Sequence, residues 1–101
     1  MRWYEWDMEK AASNWRKHGV SFESAVQVFD DPSAFSIHDR VEGGEQRWQT
    51  LGMVNGVIVL MVIHTEDDDG YDELVRIISA RRATPRERSR YDNATRTNLR
   101  R

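Results

Sequence analysis

Apolar positions recur at helical spacing in the first third of the chain and at strand spacing, or in solid runs, through the middle. Trp3-Tyr4-Glu5-Trp6 is aromatic and β-prone and predicts a short first strand. Asp7 is suited to cap a helix. Met8, Ala11, Ala12 and Trp15 then fall at i, i+3, i+4 and i+7, one face of that helix. It ends at His18-Gly19, with Gly19 at the left-handed position that closes a helix. Ser21 caps a second helix, and Glu23 in its first turn suits the dipole. Phe22, Ala25, Val26 and Phe29 repeat the same spacing, and Asp30-Asp31-Pro32 stops it. The spacing predicts a helical pair whose apolar faces cover one side of a sheet.

From Ser33 the period changes to that of strands. Ala34–Asp39 reads as a strand, Gly43-Gly44 as a turn and Glu45–Val54 as a second, long strand. Asn55-Gly56 is a hairpin signal, because both residues tolerate the positive φ of a type I′ turn. Val57–Thr65 is apolar on both faces until His64, the mark of a central strand covered on both sides. Glu66–Gly70 is an acidic loop, and Leu74–Ala80 is the last strand. Thr84, Pro85 and Glu87 then form a capping box at the start of a final helix. The class is α+β: a short N-terminal strand, a helix pair, an antiparallel meander and a C-terminal helix.

With 101 residues the chain is expected to make one domain, over residues 1–93. There are no cysteines, so neither a disulfide scaffold nor thiolate chemistry is available. No apolar run reaches spanning length, and the N-terminus lacks the apolar core of a signal peptide, which points to a cytoplasmic protein with no membrane partner. The formal net charge is −2, but it is unevenly spread. From Arg76 onward nine arginines face only Glu87 and Asp92, a net +7, while the preceding residues carry −9. A basic quarter on an acidic body suggests one anion-binding face. Residues 94–101 are expected to form a basic, disordered tail.

Arg76 lies on a strand beside isoleucines, and Arg81 and Arg82 follow before the helix. Such an arginine is either solvent-facing or one of a group of guanidinium forks that match phosphate bidentately. Alternation puts Glu45, Arg47, Gln49 and Leu51 on one face of their strand. If Arg47 and Arg76 share the uncovered sheet face, they form a cationic platform near His64 and the start of the last helix. His64 is a candidate general acid or base, or a strand-end histidine bonded to the backbone. Lys17 and His18 close the first helix and are further candidate catalytic residues, although its dipole favours cations there whatever their use. No metal site is expected, since His18, His38 and His64 lack zinc-ligand spacing and the acidic run lacks the features of a calcium loop. No cofactor motif is present.

Six segments occur in order: Tyr4-Glu5-Trp6-Asp7, Arg16–Phe22, Val28–Pro32, Glu45-Gln46-Arg47-Trp48, His64-Thr65-Glu66 and Arg76–Thr84. Together they resemble the BrnT family of type II toxin–antitoxin toxins, over about Trp3 to Tyr91. The resemblance implies a RelE-like fold and an endoribonuclease that arrests translation. It also implies a neighbouring ribbon-helix-helix antitoxin, BrnA, through which the complex would bind operator DNA. It puts Lys17, His18, Arg47, Arg76, Arg81 and Arg82 on matching positions, with His64 at a further one. The expected chemistry is metal-independent cleavage in which the 2′-hydroxyl attacks the adjacent phosphate, with Arg47 and Arg76 on the transition state and Arg81 and Arg82 on flanking phosphates. Two other readings are a non-catalytic co-repressor that binds the antitoxin and a general anion-binding domain.

Overall fold

The computed structural model describes residues 1–99, and the side chains as far as Thr95. Five strands and three α-helices follow one another along the chain: β1 (Arg2–Glu5), α1 (Met8–His18), α2 (Phe22–Val26), β2 (Phe35–Glu42), β3 (Glu45–Val54), β4 (Ile58–Asp68), β5 (Glu73–Arg82) and α3 (Pro85–Leu99). A 3₁₀ turn over Gln27–Asp30 extends α2. The sheet order is β1-β5-β4-β3-β2. Strands β2 to β5 form the expected antiparallel meander, whereas β1 pairs parallel to β5 at the edge, with Glu5 opposite Arg76.

Local chemistry fixes the ends of these elements. Asp7 accepts the amide of Lys10 at 3.0 Å, and Gly19, at φ 66°, returns its N–H to Trp15 O at 2.8 Å. Asn55 (φ 56°) and Gly56 (φ 69°) make the β3–β4 turn with both residues left-handed. At α3 the capping box is complete: Thr84 N–H donates to Glu87 Oε1 at 2.9 Å and Glu87 N–H to Thr84 Oγ1 at 3.2 Å. The backbone of α3 continues to Leu99. Arg100 and Arg101 lie outside the described residues.

The sheet is buried on both sides of β4. One face packs Val54, Leu60, Val62, Val75 and Ile77 against Phe22, Ala25 and Val28 of the second helical segment. The other packs Leu51, Val59 and Met61 against Tyr91 of α3. Tyr91 donates to Asp31 Oδ2 at 2.6 Å, and the same oxygen accepts Met53 N–H at 2.7 Å, so one carboxylate ties α3 to β3.

The orientation of α1 departs from its apolar spacing. Met8 (78% exposed) and Trp15 (59% exposed) face outward, and Ala12 is exposed as well. The buried residue is Asn14. Its Nδ2 donates to Val20 O at 2.9 Å and Ala80 O at 2.8 Å, and its Oδ1 accepts Ala80 N–H at 3.0 Å. Strand β1 pairs with β5 only as far as Arg76, so Ala80 lies beyond its reach, and the Asn14 amide satisfies both of its backbone groups. Three bonds to buried backbone outweigh the transfer of a few apolar groups at the helix surface.

Candidate functional site

The arginines of β3 and β5 meet on one face. Arg76 is paired with Thr65 of β4, and Trp48 with His64, so Arg47 and Arg76 flank the same step of β4. Alternation gives Arg47 the face of Leu51 and Met53, beyond the part that α3 covers. Arg76 confirms the shared side by its contact with Glu45, which stands two residues before Arg47: Nη1 to Oε2 is 3.5 Å. The expected convergence of Arg47 and Arg76 is present.

Carboxylates occupy this platform. Arg76 Nε donates to Glu5 Oε1 at 3.0 Å. Arg47 Nη1 lies 3.0 Å from Glu42 Oε2, which also reaches Arg40 Nη2 at 3.2 Å. Arg47 is only 18% exposed, and its Nε is buried without a hydrogen-bond partner. Glu5 and Glu42 hold the two guanidinium groups in place, whereas Glu45 approaches Arg76 without a hydrogen bond to it. The half-exposed pairs of Arg76 are worth roughly 1 kcal/mol or less each. A phosphate can therefore exchange with the carboxylates. Sequence reading missed these partners. Glu42 and Glu45 flank the Gly43-Gly44 turn and are paired residues of the hairpin, which was the available signal.

His64 lies apart from this platform. It faces the other side of the sheet, fully buried, with its ring edge-on to Phe29 at 4.9 Å. Nε2 bonds to Thr50 Oγ1 at 2.6 Å, and Thr50 in turn to Ser36 Oγ at 2.6 Å. Nδ1 has no hydrogen-bond partner, and the nearest carboxylate oxygen, on Glu66, is 3.8 Å away. Burial pushes the His64 pKa down to about 4, so the ring is neutral at pH 7. The platform is thus near the strand position of His64 but on the opposite face.

Arg81 and Arg82 differ from each other. Arg81 makes a bidentate pair with Glu87, 2.8 and 3.0 Å, which raises the arginine's pKa and holds the carboxyl below its usual range. Arg82 is exposed and makes no ion pair among the described residues. Lys17 and His18, in the last turn of α1, line a cleft of about 230 Å³ between that helix and β5. Among the described residues no group of three or more His, Cys, Asp or Glu side chains could hold a metal ion, and no helix is long and apolar enough to cross a membrane. Trp15 stands between two further clefts, one lined by Val20, Val54, Ile58 and Leu60 and one by Trp6, Met8, Ala11 and Phe22.

The model of a family described as "Ribonuclease toxin, BrnT, of type II toxin-antitoxin system" matches residues 6–87. The crystal structure of the Brucella abortus ribonuclease toxin BrnT superposes with a TM-score of 0.63 at 28% sequence identity, over 83% of this chain and 97% of that one. No curated protein matches the chain. The match spans Arg47, Arg76, Arg81 and Arg82, the α1–β5 cleft and the first turn of α3, and the α+β architecture is that of the solved toxin. This chain therefore belongs to the BrnT family of ribonuclease toxins of type II toxin–antitoxin systems.

Proposed function

We propose that this protein is a metal-independent endoribonuclease that cuts RNA on the Arg47–Arg76 platform and thereby inhibits translation in the cytoplasm. The observation that carries the reading is the convergence of the two arginines on one open face with a carboxylate, Glu45, 3.5 Å from Arg76 and uncommitted by a hydrogen bond. The 2′-oxygen attacks the adjacent phosphorus, the bond to the 5′-oxygen breaks, and a 2′,3′-cyclic phosphate is left. Charge builds on the non-bridging oxygens, where preorganised guanidinium groups are most effective. Glu45 takes the 2′-hydroxyl proton, and solvent protonates the leaving 5′-oxygen. His64, buried and neutral on the other face, serves as scaffold and not as the proton carrier. Arg81, on the platform's face of β5, reaches a phosphate further along the strand by exchange with Glu87, whereas Arg82 stands opposite Leu60 on the helix-covered face and would meet RNA only beyond the platform.

The partner is a ribbon-helix-helix antitoxin of the BrnA type, and operator DNA is reached only through that complex. The outward Met8, Trp15 and Val57 supply apolar surface for its docking. The direct test is cleavage of single-stranded RNA by the purified protein in EDTA. Products ending in cyclic phosphate, with DNA of the same sequence left intact, are expected, because the reaction consumes a 2′-hydroxyl. RNA left intact would favour the second reading, a non-catalytic co-repressor. That reading draws on the readiness with which both arginines already bind carboxylates.

A further inference from the structure

The cleft between α1 and β5 is lined by Lys10, Ser13, Lys17 and His18 of the helix and by Ile78 and Ser79 of the strand. Lys10, Ser13 and Lys17 fall at i, i+3 and i+7, one side of α1. No carboxylate lines this cleft, and neither Lys10 nor Lys17 has an ion-pair partner among the described residues. The contrast with Arg47, Arg76 and Arg81, each already paired, is direct. The helix dipole accounts for Lys17 and His18 in the last turn. It does not account for Lys10, the third residue of the helix, where a cation opposes the dipole.

The walls of the cleft are fixed. Asn14, also on its lining, bonds α1 to Ala80 in both directions. Strand β5 carries a bulge here, since Ile63 pairs with Ser79 and His64 with Ile77, leaving Ile78 as the extra residue. Ile78 is two residues from Arg76, roughly 7 Å along the strand. Arg76 points to the open face and the cleft lies toward α1, so a strand joining them turns around the β5 edge just beyond the last β1 pairing, at Arg76.

We propose that this cleft is a second phosphate subsite, which holds the backbone of a single-stranded RNA next to the link on the Arg47–Arg76 platform, with Lys10 and Lys17 as its cations and Ser13 and Ser79 as hydroxyl donors. The inference rests on the reading of the platform as the cleavage site. It extends the protein–RNA contact around the β5 edge from the open face toward α1.

The probe is a short single-stranded deoxyoligonucleotide, which cannot be cut, titrated at several salt concentrations against wild type, a Lys10→Ala/Lys17→Ala variant and a Lys10→Arg/Lys17→Arg variant. Both lysines are exposed, so the amide NMR spectrum of each variant should remain that of the folded protein. For the alanine pair the affinity should fall on the order of tenfold at low salt. The slope of log affinity against log salt should become shallower by about 1.4, two contacts at about 0.7 each. The arginine pair should restore both. An unchanged affinity and slope would overturn the subsite, as would loss of antitoxin binding with strand affinity intact, which would give the cleft to a protein partner. RNA cleavage by the same wild-type preparation is scored separately. A protein that cuts RNA but shows no slope change loses only the subsite, and one that binds the strand yet never cuts RNA loses the cleavage reading.

Discussion

His64 and Arg76 stand one step apart in the β4–β5 ladder and on opposite faces of the sheet: His64 is opposite Ile77, and Arg76 is opposite Thr65. On one side the imidazole is enclosed with Phe29 and Thr50. On the other the guanidinium is half exposed among Glu5 and Glu45.

Removal of either platform arginine should weaken catalysis more than folding. Arg76→Ala and Arg47→Ala are expected to lower single-turnover RNA cleavage by about 10²–10³, the usual loss for one preorganised group on a transition state. Glu45→Gln should slow the chemical step by about 10²–10⁴ while strand binding holds or tightens, since a carboxylate competing with phosphate has gone. Cleavage by Arg76→Ala as fast as wild type would remove the platform from the mechanism.

His64 should make stability depend on pH. Its pKa is about 4 when folded, against 6.5 for an unperturbed histidine. Between these values the unfolded chain binds a proton that the folded protein excludes, so stability is complete above pH 6.5 and declines as pH falls toward 4. The full loss is on the order of 3 kcal/mol. Asp31 and Glu87, whose carboxyls are held low, add their losses mainly below that window. For Asp31, burial alone would raise the pKa, and the bonds from Met53, Tyr91 and Ser33 outweigh it; for Glu87 the cause is Arg81. Urea midpoints at pH 7.5 and 4.5 should separate for wild type and nearly coincide for His64→Gln.

Much of the fold can be read from local chemistry. The Thr84–Glu87 capping box, the Asn55-Gly56 turn and the doubly buried β4 depend on residues close together in sequence, and each is where its spacing puts it. The convergence of Arg47 and Arg76 depends on the register of β3, β4 and β5, which side-chain alternation within one strand leaves open. The parallel pairing of β1 with β5 gave no signal, because its partner is some 71 positions away. The inward face of α1 was concealed for the same reason. Asn14 finds Ala80 across a separation of 66 residues, and a lone polar residue beside Trp15 offers no pattern. Apolar periodicity alone therefore turned the helix the wrong way.

Asn14 should consequently be among the least replaceable residues outside the arginines. Asn14→Ala leaves Val20 O and both backbone groups of Ala80 without these partners in a buried setting. One to three kcal/mol attends each such orphaned group, and water entry relieves part of it, so a net loss of about 2–4 kcal/mol is expected. Chemical denaturation measures it, with Ser13→Ala next door as the control that should stay within about 0.5 kcal/mol.

Gly52 tests whether the seam between β3 and the 3₁₀ turn is as close as it looks. A Cβ built there would meet Val28 Cγ1 at 2.6 Å and Val28 backbone O at 2.9 Å. Backbone conformation is not the obstacle, since Gly52 does not have a positive φ. The obstacle is contact, so Gly52→Ala should destabilise by about 1–3 kcal/mol through overpacking. Val28 is fully buried, and Val28→Ala should cost a comparable amount on its own by leaving a cavity. Combined, the two changes should cost less than their sum, because the alanine at 28 removes the Cγ1 that the new methyl strikes. The rescue should be incomplete, because the backbone oxygen at 2.9 Å is still in the way. A double-mutant cycle from urea melts reads this directly. Strict additivity would mean that the strand and the turn separate to admit the methyl group, and that the close packing of Gly52 on Val28 does not set the spacing between β3 and the turn.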